Sequence, residues 1–98
     1  MDRDAAIDIL RAHEPELQRL GVRHAAVFGS VARCENHAGS DLNMMIEIDA
    51  RAVRDAFNYV GICRAIGSLF PVPVDVANRE TLKPHILSRA ERDAVRAF

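Results

Sequence analysis

A short apolar run, Ala25-Ala26-Val27-Phe28, stops at Gly29-Ser30, and a second apolar run follows Ser40-Asp41-Leu42-Asn43. Four consecutive apolar residues are too few for a buried helix and read as a strand covered on both faces. A Gly-Ser turn at a strand end can hold phosphate against backbone N–H groups, although such a pair is most often only a turn. Asp41 and Asn43 stand two residues apart, so a strand projects both from one face. A phosphate cradle beside a candidate metal site is the pairing that phosphoryl or nucleotidyl transfer requires. Position 43 nevertheless carries an amide where a second carboxylate would be the better Mg²⁺ ligand.

The rest of the chain supplies helices between these strands. Residues 4–20 read as helical, with Ile7, Leu10, Leu17 and Leu20 at helical spacing. Pro15 predicts a kink or restart near His13 and Glu14, and Gly21 ends the helix. Val31 to Arg33 begins a short helix and residues 34–39 form a polar loop. The second strand covers residues 42–48, apolar except for Asn43 and Glu47. Residues 52–69 predict a helix with Val53, Phe57, Val60 and Ile66 facing inward, weakened by about 1 kcal/mol each at Gly61 and Gly67. Phe70-Pro71-Val72-Pro73 breaks it, Val74-Asp75-Val76 is a third strand, and residues 81–86 form a turn or short helix. Ser88 and Glu91 have capping-box spacing and predict a final helix reaching Phe98. This α-β-α-β-α-β-α order predicts an α/β fold, a small sheet flanked by helices.

Ninety-eight residues make one domain, residues 1–98. Apolar residues at 49% and charged residues at 28% suit a folded globule rather than a disordered tail. A net charge of −1 argues against a general nucleic-acid surface, so no direct nucleic-acid binding is expected. No apolar run is long enough to span a membrane and no secretory pattern precedes Asp2-Arg3-Asp4, so the expected location is cytoplasmic. Cys34 and Cys63 lack metal-type spacing and read as reduced thiols.

Asp75 lies between Val74 and Val76, so its carboxylate points opposite to its apolar neighbours; a solvated edge position is the plain alternative. Glu47 shares the face of Asp41 and Asn43 and reads as a partner for a basic residue rather than a metal ligand. Arg79 and Lys83 read as surface charge, His37 as a solvated loop residue, and His13, His24 and His85 show no ligand spacing.

The order of these residues resembles the minimal nucleotidyltransferases, or MNT domains, of the polymerase-beta-like superfamily, and the likeness covers nearly the whole chain. The family pattern runs Gly-Ser, two residues, Arg, a loop, Ser-Asp-hydrophobic-Asp, then a later hydrophobic-Asp-hydrophobic strand. Here it falls on Gly29, Ser30, Arg33, Ser40, Asp41, position 43 and Asp75. The resemblance implies a small mixed sheet flanked by helices. It also implies Mg²⁺-dependent transfer of a nucleoside monophosphate, from ATP or another NTP, to a hydroxyl. Under it, Gly29, Ser30, Arg33 and Ser40 face the nucleotide, and Asp41, Asn43 and Asp75 are the metal positions. Asp41 and Asp75 are the catalytic carboxylates, with Asp75 positioning or activating the acceptor hydroxyl. Arg33 is equally well read as a helix-surface charge packed on the loop.

Two positions depart from the pattern. Asn43 brings no negative charge to a site meant to concentrate dications, a loss that costs roughly a hundredfold or more in rate. Cys34 stands where relatives commonly carry Gly, and implies no catalytic thiol. Small MNT proteins resemble the antitoxins of HEPN/MNT toxin–antitoxin pairs, which implies a HEPN-type toxin as acceptor. The alternative is a catalytically impaired antitoxin that neutralises such a partner by binding. Modification of a small hydroxylated compound would need a second, substrate-binding domain that this length cannot hold.

Overall fold

The free edges and faces of one small sheet organise everything else. The computed structural model describes residues 1–37 and 40–98, so the 38–39 end of the expected polar loop lies outside the described residues. The chain runs α1 (Arg3–Ala12), α2 (Glu14–Leu20), β1 (Val22–Phe28), α3 (Gly29–Ala32), β2 (Leu42–Ile48), α4 (Ala56–Gly67), β3 (Val74–Asn78), α5 (Pro84–Asp93) and β4 (Val95–Arg96). The sheet order is β3-β2-β1-β4; β1 pairs antiparallel with β2 and β4, and β2 pairs parallel with β3. This is the small mixed sheet with flanking helices that the sequence leads one to expect.

The helical hairpin at the start is set by its punctuation. Asp2 caps α1 by accepting from the Ala5 N–H at 2.7 Å. Of the kink or restart expected at Pro15, the chain takes the restart: α1 ends at Ala12, α2 starts at Glu14, and Pro15 takes an early helical position where its missing N–H costs nothing. Gly21 closes α2 in the left-handed region at φ +110°, where a Cβ would also lie 2.6 Å from Val53 Cγ2. Both the backbone and the packing therefore demand glycine there.

Strand alternation sorts the sheet into two faces. Leu42, Met44 and Ile46 of β2, with Val22, Ala25 and Val27 of β1, join Leu10, Leu17, Ile62 and Ile66 in the main core. The run Ala25 to Phe28 is not sealed on both faces as expected, because Ala26 and Phe28 are only half-buried. A register irregularity between Val22 and His24 lets β1 start three residues early and pair Val22 with Ile48. Asn43, Met45 and Glu47 alternate onto the opposite face; there Met45 and Ala90 of α5 are buried outside the main core.

Two further expectations change. The fourth helix begins at Ala56, not at 52, because Asp49 closes a turn by accepting from the Ala52 and Val53 N–H groups and Asp55 then caps α4 through the Asn58 N–H. Ile66 is buried and Val53 packs on the core as expected, but Ile62 joins Ile66 on the inner face, while Phe57 is 89% exposed and Val60 is 46% exposed. Phe57, Val60 and Ile62 are all apolar, so periodicity alone does not decide which of them joins Ile66. The final helix also lies earlier in the chain than expected. It starts at Pro84, which has no N–H to leave unpaired, places Ser88 in its interior and stops at Asp93. Ala94 turns extended, and residues 95–96 become β4 because β1 has a free edge to satisfy. Ala97 N–H donates to Ala25 O at 2.8 Å and Ala25 N–H to Phe98 O at 3.2 Å.

Truncating the two stripes of α4 separately tests this packing. Ile66→Ala is expected to lower unfolding free energy by about 2–5 kcal/mol, and Phe57→Ala to change it by about 0.5 kcal/mol or less. Urea denaturation measures both, and equal losses would contradict the assignment of the inner face.

Candidate active site

Backbone pairing brings Asn43 and Asp75 into one row and sets Gly29 against its end. Phe28 at the end of β1 is the register partner of Asn43, and Asn43 is the register partner of Asp75 on β3. Paired residues in a sheet share a face, so Asn43 and Asp75 point away from the main core together. Gly29 follows Phe28 at φ +76°, and a Cβ built on it would lie 2.6 Å from Asn43 Nδ2. Glycine is needed twice over, for its left-handed backbone and because the Asn43 amide occupies the space. Asp41 lies just ahead of β2, exposed, and the Leu42 N–H is anchored at 2.9 Å to Pro73 O, next to β3. Asp41, Asn43 and Asp75 thus sit at one end of the β2–β3 pair.

The Gly29-Ser30 turn opens α3, a single four-residue turn that no side chain caps. So short a turn builds little macrodipole; what it offers an anion is local N–H groups and the Ser30 hydroxyl. The Ser30 carbonyl accepts from the Glu35 N–H at 2.9 Å, closing the turn behind it. Cys34 stands within this closure at φ +59°. That left-handed backbone accounts for the glycine that the family pattern carries at this position, and an L-residue adopts it here at a modest steric cost. Ser40 uses its hydroxyl locally, accepting from the His37 N–H at 2.9 Å.

Arg33 is engaged within the protein. Its Nη1 donates to Asp93 Oδ2 at 2.7 Å and its Nε to Glu35 Oε2 at 3.1 Å, and these contacts, Asp93 first, raise its pKa above the usual value. Glu47 behaves as expected, meeting Arg79 Nη1 at 3.4 Å and His24 Nε2 at 3.7 Å. Arg79 also pairs with Glu91 of α5. Arg79 is therefore a tie between the sheet and α5 rather than loose surface charge.

Among the described residues, no group of three or more His, Cys, Asp and Glu side chains is placed to hold a metal. Asp41, Asn43 and Asp75 supply two carboxylates and one amide oxygen, all hard donors. That set suits one oxygen-seeking divalent cation such as Mg²⁺ and is poor in charge for two.

Tyr59 was not singled out in the sequence. Burial, then Cys63, then the charge of Asp75 push its hydroxyl up to about 12. Burial also raises the Cys63 thiol, which keeps it protonated and unreactive at neutral pH. The one sequence signal was the i,i+4 spacing of Tyr59 and Cys63 on α4; nothing local could report the influence of Asp75. Tyr59 is the sole tyrosine, so absorbance at alkaline pH reads it alone. Because its folded pKa is raised, its contribution to stability is complete below about pH 10 and is lost as pH rises towards 12. The expected tyrosinate midpoint is about 12. A midpoint near 10 in the folded protein would contradict the burial described.

The chain matches the family described as nucleotidyltransferase domain over residues 10–97. It is 30% identical over 88 residues to the protein adenylyltransferase MntA of Thermococcus cleftensis, covering 89% of this chain and 87% of that one. A solved structure described as a candidate minimal nucleotidyltransferase superposes with a TM-score of 0.71 at 28% identity, over 97% of this chain and 95% of the other. A toxin–antitoxin crystal structure with AMP-PNP superposes at 0.68 and 15% identity, over 100% of this chain and 73% of that one, a likeness of fold.

Proposed function

The chain belongs to the nucleotidyltransferase domain family, and from that premise we propose that it moves AMP from ATP to a hydroxyl on a HEPN-type toxin protein. The observation that carries this reading is the row formed by Gly29, Asn43 and Asp75, with Asp41 beside it. A relative named for adenylylating protein supports a protein acceptor, and the fold shared with a toxin–antitoxin complex supports a toxin as that protein. Asp75 is exposed on an edge strand, so a macromolecular hydroxyl can reach it without a substrate cleft.

In this reading the turn at Gly29 and Ser30 holds the phosphates, with Gly29 allowing the backbone close approach. The acceptor oxygen bonds to the α-phosphorus as the bond to the bridging oxygen breaks, and pyrophosphate leaves with the electron pair. Asp75 orients the acceptor hydroxyl and takes its proton. Asp41, Asp75 and the amide oxygen of Asn43 are the groups that would hold Mg²⁺, which supplies charge neutralisation at the phosphates.

A second reading is favoured by one residue. Asn43 puts a neutral amide at the centre of the row, which suits an antitoxin that neutralises its partner by binding alone. Transfer of label from α-³²P-ATP to a co-purified partner, with Mg²⁺ present, separates the two. The catalytic reading predicts labelling that Asp75→Ala abolishes and that Asn43→Asp raises by roughly a hundredfold or more. Labelling seen only with Asn43→Asp would establish the binding role, and labelling that survives Asp75→Ala would overturn the catalytic assignment.

A further inference from the structure

The groove on the other side of Gly29 contains a cation that the fold leaves unpaired. It lies between α3 and α5, has a volume of about 270 Å³, and its lining includes Phe28, Gly29, Arg33, Arg89, Ala90 and Asp93. Two guanidinium groups face this space in unlike states. Arg33 is held by Asp93 and Glu35. Arg89 is exposed and, among the described residues, its side chain makes no ion pair or hydrogen bond. Its default partner on a helix surface would be Asp93, four residues further along α5. The Asp93 carboxylate instead reaches across to Arg33 at 2.7 Å, tying α5 to the residue that follows α3. The crossing contact leaves the five donors of Arg89 free at the edge of the groove.

Gly29 belongs to both sides. One side of it faces the Asn43 amide, in the row that ends at Asp75, and its backbone also lines the Arg89 groove. On the reading that the chain transfers AMP, the acceptor oxygen enters from the side of Asp75, and in-line displacement sends the two leaving phosphates to the opposite side of the α-phosphorus. We propose that the Arg33–Asp93 tie reserves Arg89 as the cation that receives the departing pyrophosphate, with the triphosphate lying across Gly29 from Asp75 towards α5. This deepens the proposed function and rests on it. As the bond from the α-phosphorus to the bridging oxygen breaks, the electron pair stays with pyrophosphate. A guanidinium presenting paired donors matches the oxygens on which that charge accumulates.

Calorimetric titration of the full chain with pyrophosphate, ATP and AMP tests this, comparing wild type with Arg89→Ala, Arg89→Lys and Arg92→Ala. Arg92 is exposed on the same helix and lies outside the groove, so it controls for net charge. Arg89→Ala is expected to weaken pyrophosphate and ATP about tenfold or more and leave AMP unchanged, with Arg89→Lys in between. Arg92→Ala should leave all three affinities within about twofold of wild type, the reach of screened surface charge. Thermal melts of each variant confirm that the fold is retained. Unchanged pyrophosphate affinity in Arg89→Ala, or equal losses in Arg89→Ala and Arg92→Ala, would overturn the role of Arg89 while leaving nucleotide binding in place. A wild-type chain that binds ATP no better than buffer would overturn both the role and the functional reading beneath it.

Discussion

The close approach of the Gly29 backbone to the Asn43 side chain is the constraint on which the candidate site depends. With φ at +76° and no room for a Cβ, the end of β1 can lie against β2 only because residue 29 has no side chain. That contact sits at the end of the β1–β2 ladder, where a one-residue slip would carry Asn43 to the core face. Register on the other edge of β2 then places Asp75 beside Asn43. One glycine therefore links the Gly29-Ser30 turn to the strand that carries Asp75.

The electrostatics around this row are arranged by long-range ties, most of them through α5. Asp93 reaches Arg33, Glu91 reaches Arg79, and Arg79 in turn meets Glu47 on the sheet face that carries Asn43. These pairs are partly exposed and individually contribute little to stability. Their effect is positional: they settle which cations are committed to carboxylates and which remain for a ligand. Asn43 shifts the same balance from the other side, lowering the negative charge available to a dication while keeping an oxygen in place.

What could be read from sequence was local. The second strand, the Gly-Ser turn and the break at Pro15 follow from spacing and backbone chemistry, and so did the lone strand carrying Asp75. The misread parts were decided at a distance. Residues 95–96 form a strand because β1 has unpaired backbone groups, and no pattern within the C-terminal segment records that edge. Ser88 and Glu91 have the spacing of a helix start, yet Pro84 begins the helix first. Phe57, Val60 and Ile62 are all apolar, and only the position of α4 against the sheet selects Ile62 to join Ile66 inside. Arg33 could not be assigned to phosphate or to surface from sequence, because Asp93, its stronger partner, lies sixty residues away.

The central claim is that nucleotide lies across Gly29, between the Asn43–Asp75 row and α5. Backbone amide chemical shifts recorded while Mg²⁺ and ATP are added test it most directly. The account predicts that the largest changes fall on Gly29, Ser30, Asn43 and Asp75, with a further set at Arg89 and Asp93. Changes centred instead on the cavity lined by His24, Glu47, Arg79 and Arg96, with Gly29 and Asp75 unmoved, would contradict it.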